Sequence, residues 1–332
     1  MKVLDMHCDT VSVLLEQRRA GAEISLRKNE GHLDLLRMKD SGYLLQNFAL
    51  FVDSGSGRDP WEEVCALQAL YQEELAKNED LIAPVLKYKD IEENQAQGKL
   101  SALITVEEGA VCKGEVEKLR KLYEMGVRMM TLTWNHPNEI GFPNLDSVRS
   151  GEKDFLYIAD YQNGLTGRGR EMVAAMEELG MIVDVSHLSD AGFYDVLECT
   201  KKPFVASHSN ARSICRCVRN LTDDMLQKLA ERGGCTGLNY CPDFLKEVPY
   251  GEKNPGTVAA IVEHAKHIVN VAGIEVLGLG SDFDGIEGHA ELKGVQSMEL
   301  LWEALHKAGF TQGQLDKIFY ENVLRVYRDV LE

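Results

Sequence analysis

Nitrogen and oxygen donors able to hold a divalent ion recur along this chain wherever a short apolar run ends. In Val3-Leu4-Asp5-Met6-His7-Cys8-Asp9-Thr10, the alternation of an extended strand sends His7 and Asp9 to one side and Cys8 to the other. Glu107 closes Ile104-Thr105-Val106-Glu107, His187 closes Val183-Asp184-Val185-Ser186-His187, and His208 closes Val205-Ala206-Ser207-His208. Asp282 and Asp284 stand in Gly280-Ser281-Asp282-Phe283-Asp284-Gly285. Taken singly, each is as readily a capping carboxylate or a hydrogen-bonded core imidazole as a ligand. Together His7, His187, His208, Asp9 and Glu107 form an imidazole and carboxylate set that suits Zn2+, with Mn2+, Fe2+ and Co2+ chemically allowed. Five protein ligands exceed one open tetrahedral site and suit two ions about 3.5–4 Å apart, bridged by Glu107 and a hydroxide. Water held there ionises near neutral pH and attacks an amide or ester carbonyl, with Asp282 as proton shuttle and Asp284 as its alternate.

The elements that must position these groups follow from hydropathy. Aliphatic runs at 2–6, 44–51, 101–106, 128–133, 181–185, 203–206, 235–240 and 276–281 predict eight strands. Amphipathic segments at 60–78, 115–125, 168–179, 189–198, 222–232, 256–272 and 297–308 predict helices between them, with start signals such as Ser189-Asp190 and Thr222-Asp223-Asp224. A β-then-α unit repeated eight times predicts an α/β fold, the (β/α)8 barrel, whose catalytic groups sit at the C-terminal ends of strands. The alternative, an open doubly wound sheet, lacks its GxGxxG or GxxxxGK[ST] phosphate loop. With no repeat and no linker, residues 1–332 read as a single barrel domain.

Composition narrows the partners. The chain has 332 residues and 36 Lys+Arg against 53 Asp+Glu, a net charge of −17 that argues against nucleic acid. Eight cysteines without a CxxC pair fit reduced thiols. The start MKVLDMHCDT leaves no room for an apolar signal stretch, and no run reaches a membrane span, so a cytoplasmic location away from membranes is expected. A homo-oligomer is compatible with the sequence. His32, His264, His267, His289 and His306 fall in helical or loop contexts, and the 264/267 pair reads as a solvated helix face. Cys215 and Cys217 read as loop or helix residues, and Trp61-Glu62-Glu63 as a helix start.

Across nearly its whole length the sequence resembles the membrane (renal) dipeptidase family of zinc peptidases, which includes cytoplasmic bacterial members. The motifs are Asp5-Met6-His7-Cys8-Asp9-Thr10, Val106-Glu107, Gly126-Val127-Arg128 leading to Leu132-Thr133, Asp184-Val185-Ser186-His187-Leu188-Ser189, Ser207-His208-Ser209 and Gly280-Ser281-Asp282-Phe283-Asp284-Gly285. The resemblance implies a (β/α)8 barrel with two zinc ions, one held by His7, Asp9 and Glu107, the other by Glu107, His187 and His208. It implies cleavage of small dipeptides by the bridging water, with Asp282 as acid/base and Arg219 gripping the substrate's terminal carboxylate. Arg212 and Arg216 lie near Arg219 in sequence, and Tyr240 is expected to line the pocket. One departure stands out. Familiar members carry a His directly after Leu-Thr to polarise the scissile carbonyl, whereas this chain has Thr133-Trp134-Asn135-His136, leaving His136, Asn135 or the Trp134 indole as donor. Two other readings accompany the dipeptidase one: a zinc amidohydrolase acting on a non-peptide amide, lactam or ester, and a catalytically silent metal-binding scaffold.

Overall fold

The computed structural model describes residues 1–151, 154–249 and 252–331. Residues 152, 153, 250 and 251, in the loops 135–166 and 241–255, and residue 332 lie outside the described residues, so the expected 1–332 span reaches beyond them. The strands are β1 (Val3–Asp5), β2 (Tyr43–Phe51), β3 (Ile82–Pro84), β4 (Leu100–Glu107), β5 (Met129–Thr131), β6 (Ile182–Asp184), β7 (Val205–Ala206), β8 (Cys235–Leu238) and β9 (Leu277–Leu279). All pairings are parallel, in the order β2-β1-β9-β8-β7-β6-β5-β4. Pairing of β2 with β4, from Leu45 opposite Ser101 to Phe51 opposite Glu107, closes the ring. The protein is a (β/α)8 barrel, as its hydropathy and the resemblance both imply.

β3 was not expected. Its three residues end in Pro84 and show no alternation, and they pair only with the start of β4, ahead of β5. The seven predicted helices form at Pro60–Lys77, Val116–Glu124, Gly167–Leu179, Asp190–Cys199, Asp223–Glu231, Val258–Ala272 and Met298–Lys307. Their starts follow local chemistry: Asp59 accepts from the amides of Trp61 and Glu62, Ser189 from Gly192, and Thr222 from Met225.

The barrel interior is layered. At its base Leu4, Leu45, Leu103, Met129, Ile182, Val205 and Cys235 pack against Val323, Val326 and Tyr327 of the helix Asn322–Val330, which plugs that end. One step further along the strands the inward positions turn polar, with Asn47, Thr131 and Asp184 all buried. Beyond them lie the candidate ligands. Alternation by two therefore carries each strand from apolar floor to chemical rim. A second, larger apolar cluster fills the space between barrel and helices and includes Cys8, which turns away from the interior.

Candidate metal centre and active site

β1 and the segment after β9 deliver the first half of the site side by side. Cys8 bridges to Phe283, and the amides of Asp9 and Asp282 donate to the carbonyls of Phe283 and His7 at 2.9 and 3.2 Å. Asp9 occupies the N-cap position of the helix Thr10–Arg19, yet its carboxylate makes no capping bond. Such a cap is usually worth about 1 kcal/mol. Instead, Asp9 Oδ2 lies 3.3 Å from His7 Nε2.

Glu107, at the end of β4, splits its two oxygens between two groups of imidazoles. Oε2 is 3.3 Å from His7 Nε2, and Oε1 is 3.0 Å from His187 Nε2 and 3.6 Å from His208 Nε2. Ligand-type atoms of His7, Glu107 and His208 lie within 4.8 Å of one another, as do those of His7, Asp9 and Asp282. Both His7 nitrogens and Asp9 Oδ1 are buried without a hydrogen-bond partner.

The two Nε2 atoms of His187 and His208 face each other at 3.1 Å. Burial first, and then Arg219 and His7, hold both imidazoles well below the usual histidine range, so both are neutral. Each Nδ1 meets an oxygen, Asn135 Oδ1 at 3.0 Å for His187 and Ser207 Oγ at 2.7 Å for His208. Two unprotonated nitrogens aimed at one another repel, and a cation between them removes the repulsion. Against the effect of burial, Glu107 and Asp9 raise the pKa of His7 well above the usual histidine range, the mark of a place among carboxylates that suits a cation. With the orphaned buried atoms there, and neutral His187 and His208 at the other oxygen, the residues fit divalent metal at both ends of Glu107. Burial also raises the pKa of Glu107 and of Asp282.

Asp282 Oδ1 lies 4.0 Å from His7 Nε2, while Oδ2 accepts from Asn239 Nδ2 at 3.0 Å. Asp284 is committed elsewhere: it accepts from Thr10 Oγ1 at 2.6 Å and from the His32 amide at 2.7 Å, tying the loop before β2 to the barrel. His187, Asp282 and Asp284 all hold positive φ, at 70°, 63° and 67°. Non-glycine residues in that region cluster at functional sites.

A cavity of about 960 Å3 opens over this centre. Its walls include Asp9, Glu107, His187 and Asp282, together with Phe51, Trp134, Asn135 and Phe244. Trp134 stands edge-on to Phe51, centroids 4.8 Å apart. Glu108 steadies the segment carrying it, accepting from the Trp134 amide, Ser54 Oγ, Asn138 Nδ2 and the Ala110 amide.

His136 is not brought to this cavity. It faces Asp53, Nε2 to Oδ1 3.2 Å, on a separate cavity of about 380 Å3. Tyr240 is fully buried with its ring against Phe283, because Asn239 takes the inward position at the end of β8 and the next side chain points outward. Arg219 is 3% exposed, with its guanidinium near His208 O and Ser209 Oγ, both at 3.3 Å, and 5.4 Å from the Phe244 ring. It has no carboxylate partner among the described residues. Arg212 is forked onto Asp190 at 2.6 and 2.8 Å, and Arg216 onto Glu247 at 2.7 and 2.9 Å.

The reading of His264 and His267 as a solvated pair needs correction. His264 is fully buried, accepting from the Ala211 amide at 3.1 Å through Nδ1 and meeting Leu245 O at 3.0 Å through Nε2. His267 turns to Asp223, 2.7 Å away. Sequence reasoning passed over Asn239, and it gave Asn135 a donor role without its contact to His187. Asn239 directly follows β8 and Asn135 lies four residues past β5, and this nearness to strand ends was the available signal.

All eight cysteines are free, and among the described residues no helix is long and apolar enough to cross a membrane. The model of the membrane dipeptidase family, peptidase family M19, matches residues 1–332. An uncharacterised dipeptidase of Schizosaccharomyces pombe is 29% identical over 98% of this chain and 80% of its own length. A solved metallopeptidase named dipeptidase AC is 26% identical with a TM-score of 0.88, covering 100% of this chain and 99% of that one. A Rhodobacter sphaeroides metallopeptidase solved with a phosphinate mimic of the dipeptide L-Ala-D-Ala shares the fold, with 24% identity, a TM-score of 0.85 and 99% coverage of each chain.

Proposed function

The chain belongs to the membrane dipeptidase family and is a metallo-dipeptidase, and from that premise we propose that it cleaves small free dipeptides with two zinc ions, residues 1–332 acting as one barrel domain. His7, Asp9 and Glu107 would hold one ion, and Glu107, His187 and His208 the other. One observation carries this reading: the two oxygens of Glu107 each face a different set of imidazole nitrogens, as a bridging carboxylate requires. Bound there, the ions would acidify a water between them and polarise the scissile carbonyl.

The chain's own residues do the rest. Asn239 fixes one oxygen of Asp282, leaving Oδ1 to take the proton from the attacking water and return it to the leaving amine. Burial raises the pKa of Asp282, which strengthens the carboxylate as the base in the first transfer. Arg219 is a buried cation with no carboxylate in ion-pair contact among the described residues, feeling only the more distant charges of Asp282, Glu107 and Asp184, and the terminal carboxylate of a dipeptide would supply a direct partner. Trp134 lines the cavity, and its indole N–H makes no hydrogen bond among the described residues, which supports it as the carbonyl donor in place of the family's histidine. His136 and Tyr240 receive no role in this scheme.

The test combines elemental analysis with a panel of L-L, L-D and D-L dipeptides read with ninhydrin. Two ions per active chain and release of free amino acids are expected. Glu107→Ala should lower the stoichiometry and abolish hydrolysis. A single tightly bound ion in fully active wild-type protein would sink the dinuclear scheme.

A further inference from the structure

A chain of short hydrogen bonds runs from the barrel's polar layer to one candidate ligand. Asp184, at the end of β6 and fully buried, accepts four bonds: Thr131 Oγ1 and Ser207 Oγ on Oδ2, each at 2.6 Å, and the amides of Ser207 and Ser186 on Oδ1, at 2.9 and 3.0 Å. Ser207 Oγ also lies 2.7 Å from His208 Nδ1.

A hydroxyl has one proton to give. The carboxylate is the stronger acceptor, and hydroxyl-to-carboxylate bonds near 2.6 Å are charge-assisted, so the Ser207 proton goes to Asp184. Ser207 Oγ can then only accept from His208 Nδ1–H. That choice fixes the other end of the ring: Nε2 must be bare, and it is Nε2 that faces Glu107 and His187. Ser186 Oγ does not compete for the direction, since it sits 3.2 Å from Ser207 Oγ and accepts from the His208 amide.

We propose that Asp184 is a positioning residue which, through the Ser207 hydroxyl, holds His208 in the Nδ1-protonated tautomer with Nε2 free for metal. The proposal rests on His208 being a ligand, as in the function proposed above. Its sharpest consequence concerns Asp184→Asn. An amide at that place can donate to Ser207 Oγ, turning the hydroxyl proton toward His208 Nδ1 and moving the imidazole proton to Nε2. The size of the side chain is kept and the direction of the relay is reversed.

The experiment reads the relay without catalysis. In metal-free protein labelled with 15N-histidine, the His208 ring nitrogens report the tautomer by chemical shift. Zinc affinity is measured separately by chelator competition. Wild type should show Nδ1 protonated. Asp184→Asn should show the Nε2-protonated form or a mixture, and Ser207→Ala a mixture, each weakening zinc binding by about 10–100-fold, the scale for lost outer-shell partners. Thr131→Val removes another bond to the same carboxylate oxygen but leaves the Ser207 contact, so its tautomer and affinity should stay near wild type. If Asp184→Asn does not fold, Ser207→Ala decides the matter alone. An unchanged tautomer and affinity in Ser207→Ala, or a Thr131→Val variant with equal effect on both, overturns the relay. His208→Ala separates the two layers: wild-type zinc affinity there would defeat the ligand assignment, whereas the tautomer readout judges the relay.

Discussion

Replacing Asp282 by Asn deletes a proton-accepting charge and little else. The position has φ 63°, where Asn is among the few side chains at ease, so the change adds no backbone strain. Asn239 Nδ2 donates to Asp282 Oδ2 at 3.0 Å, and an asparagine can keep that bond by turning its carbonyl oxygen toward Asn239. Its NH2 then faces the place now held by Oδ1, 4.0 Å from His7 Nε2, where nothing is left to receive a proton. A positioned general acid/base contributes about 10²–10⁴-fold. The expected loss in kcat is of that order, about 3–5 kcal/mol of barrier, with zinc stoichiometry unchanged. Stopped-time ninhydrin assays on metal-replete protein, with zinc counted in the same samples, give both numbers. Asp284→Asn is the matched control: two donors, Thr10 Oγ1 and the His32 amide, share its carboxylate, and an amide oxygen serves them less well. That variant should lose about 1–3 kcal/mol of stability while its folded fraction keeps near-normal turnover. Turnover of Asp282→Asn within tenfold of wild type would refute the shuttle, and loss of one zinc together with activity would make Asp282 a ligand.

Arg219→Met should weaken free dipeptides selectively; in the wild type, amidating a dipeptide should cost about 2–5 kcal/mol in kcat/KM, and equal values for acid and amide would remove Arg219 as anchor. Trp134→Phe keeps the ring beside Phe51 and deletes the N–H, so kcat should fall by about 10²-fold, while an unchanged kcat would pass the donor role to Asn135. His264 has its pKa lowered to about 4 by burial. Above its unfolded value near 6.5 it is neutral in both states; as pH falls toward 4 only the unfolded chain takes up the proton, so this residue removes about 2 kcal/mol of stability between pH 7 and 5. Urea melts at the two pH values should show a smaller decline in His264→Gln, and an equal decline would exclude His264 as the source.

What the sequence made legible was whatever alternation and capping control locally. His7 and Asp9 share a side because they are two apart, and Glu107 ends an eight-residue strand whose inward positions can be counted from Leu103. Helix starts at Asp59, Ser189 and Thr222 carry their own signals. Naming the last residue of a predicted strand is not enough without the parity: inward positions counted from Cys235 reach Asn239, so Asn239 rather than Tyr240 meets the site, although 235–240 reads as one continuous strand. The supporting amides were harder still, because Asn135 and Asn239 do not titrate and matter only through partners 52 and 43 positions away. The helix Asn322–Val330 went unread for a similar reason. Its apolar face meets strand residues near the other end of the chain, as in the bond from Tyr327 OH to Asn47 Oδ1.

The pairing of β1 with β9, and of Cys8 with Phe283, also sets a timetable for synthesis. His7 and Asp9 are made well before their neighbour Asp282, which comes more than 270 positions later. At about 5–20 residues per second, that interval lasts about 15–55 s on the ribosome. Throughout it the early imidazole and carboxylate have no partners from β9 and no barrel to enclose them. The proposed ligand set is therefore complete only once the ring has closed. On the proposed assignment, full loading waits for that closure, and the ions then enter through the open mouth of the cavity.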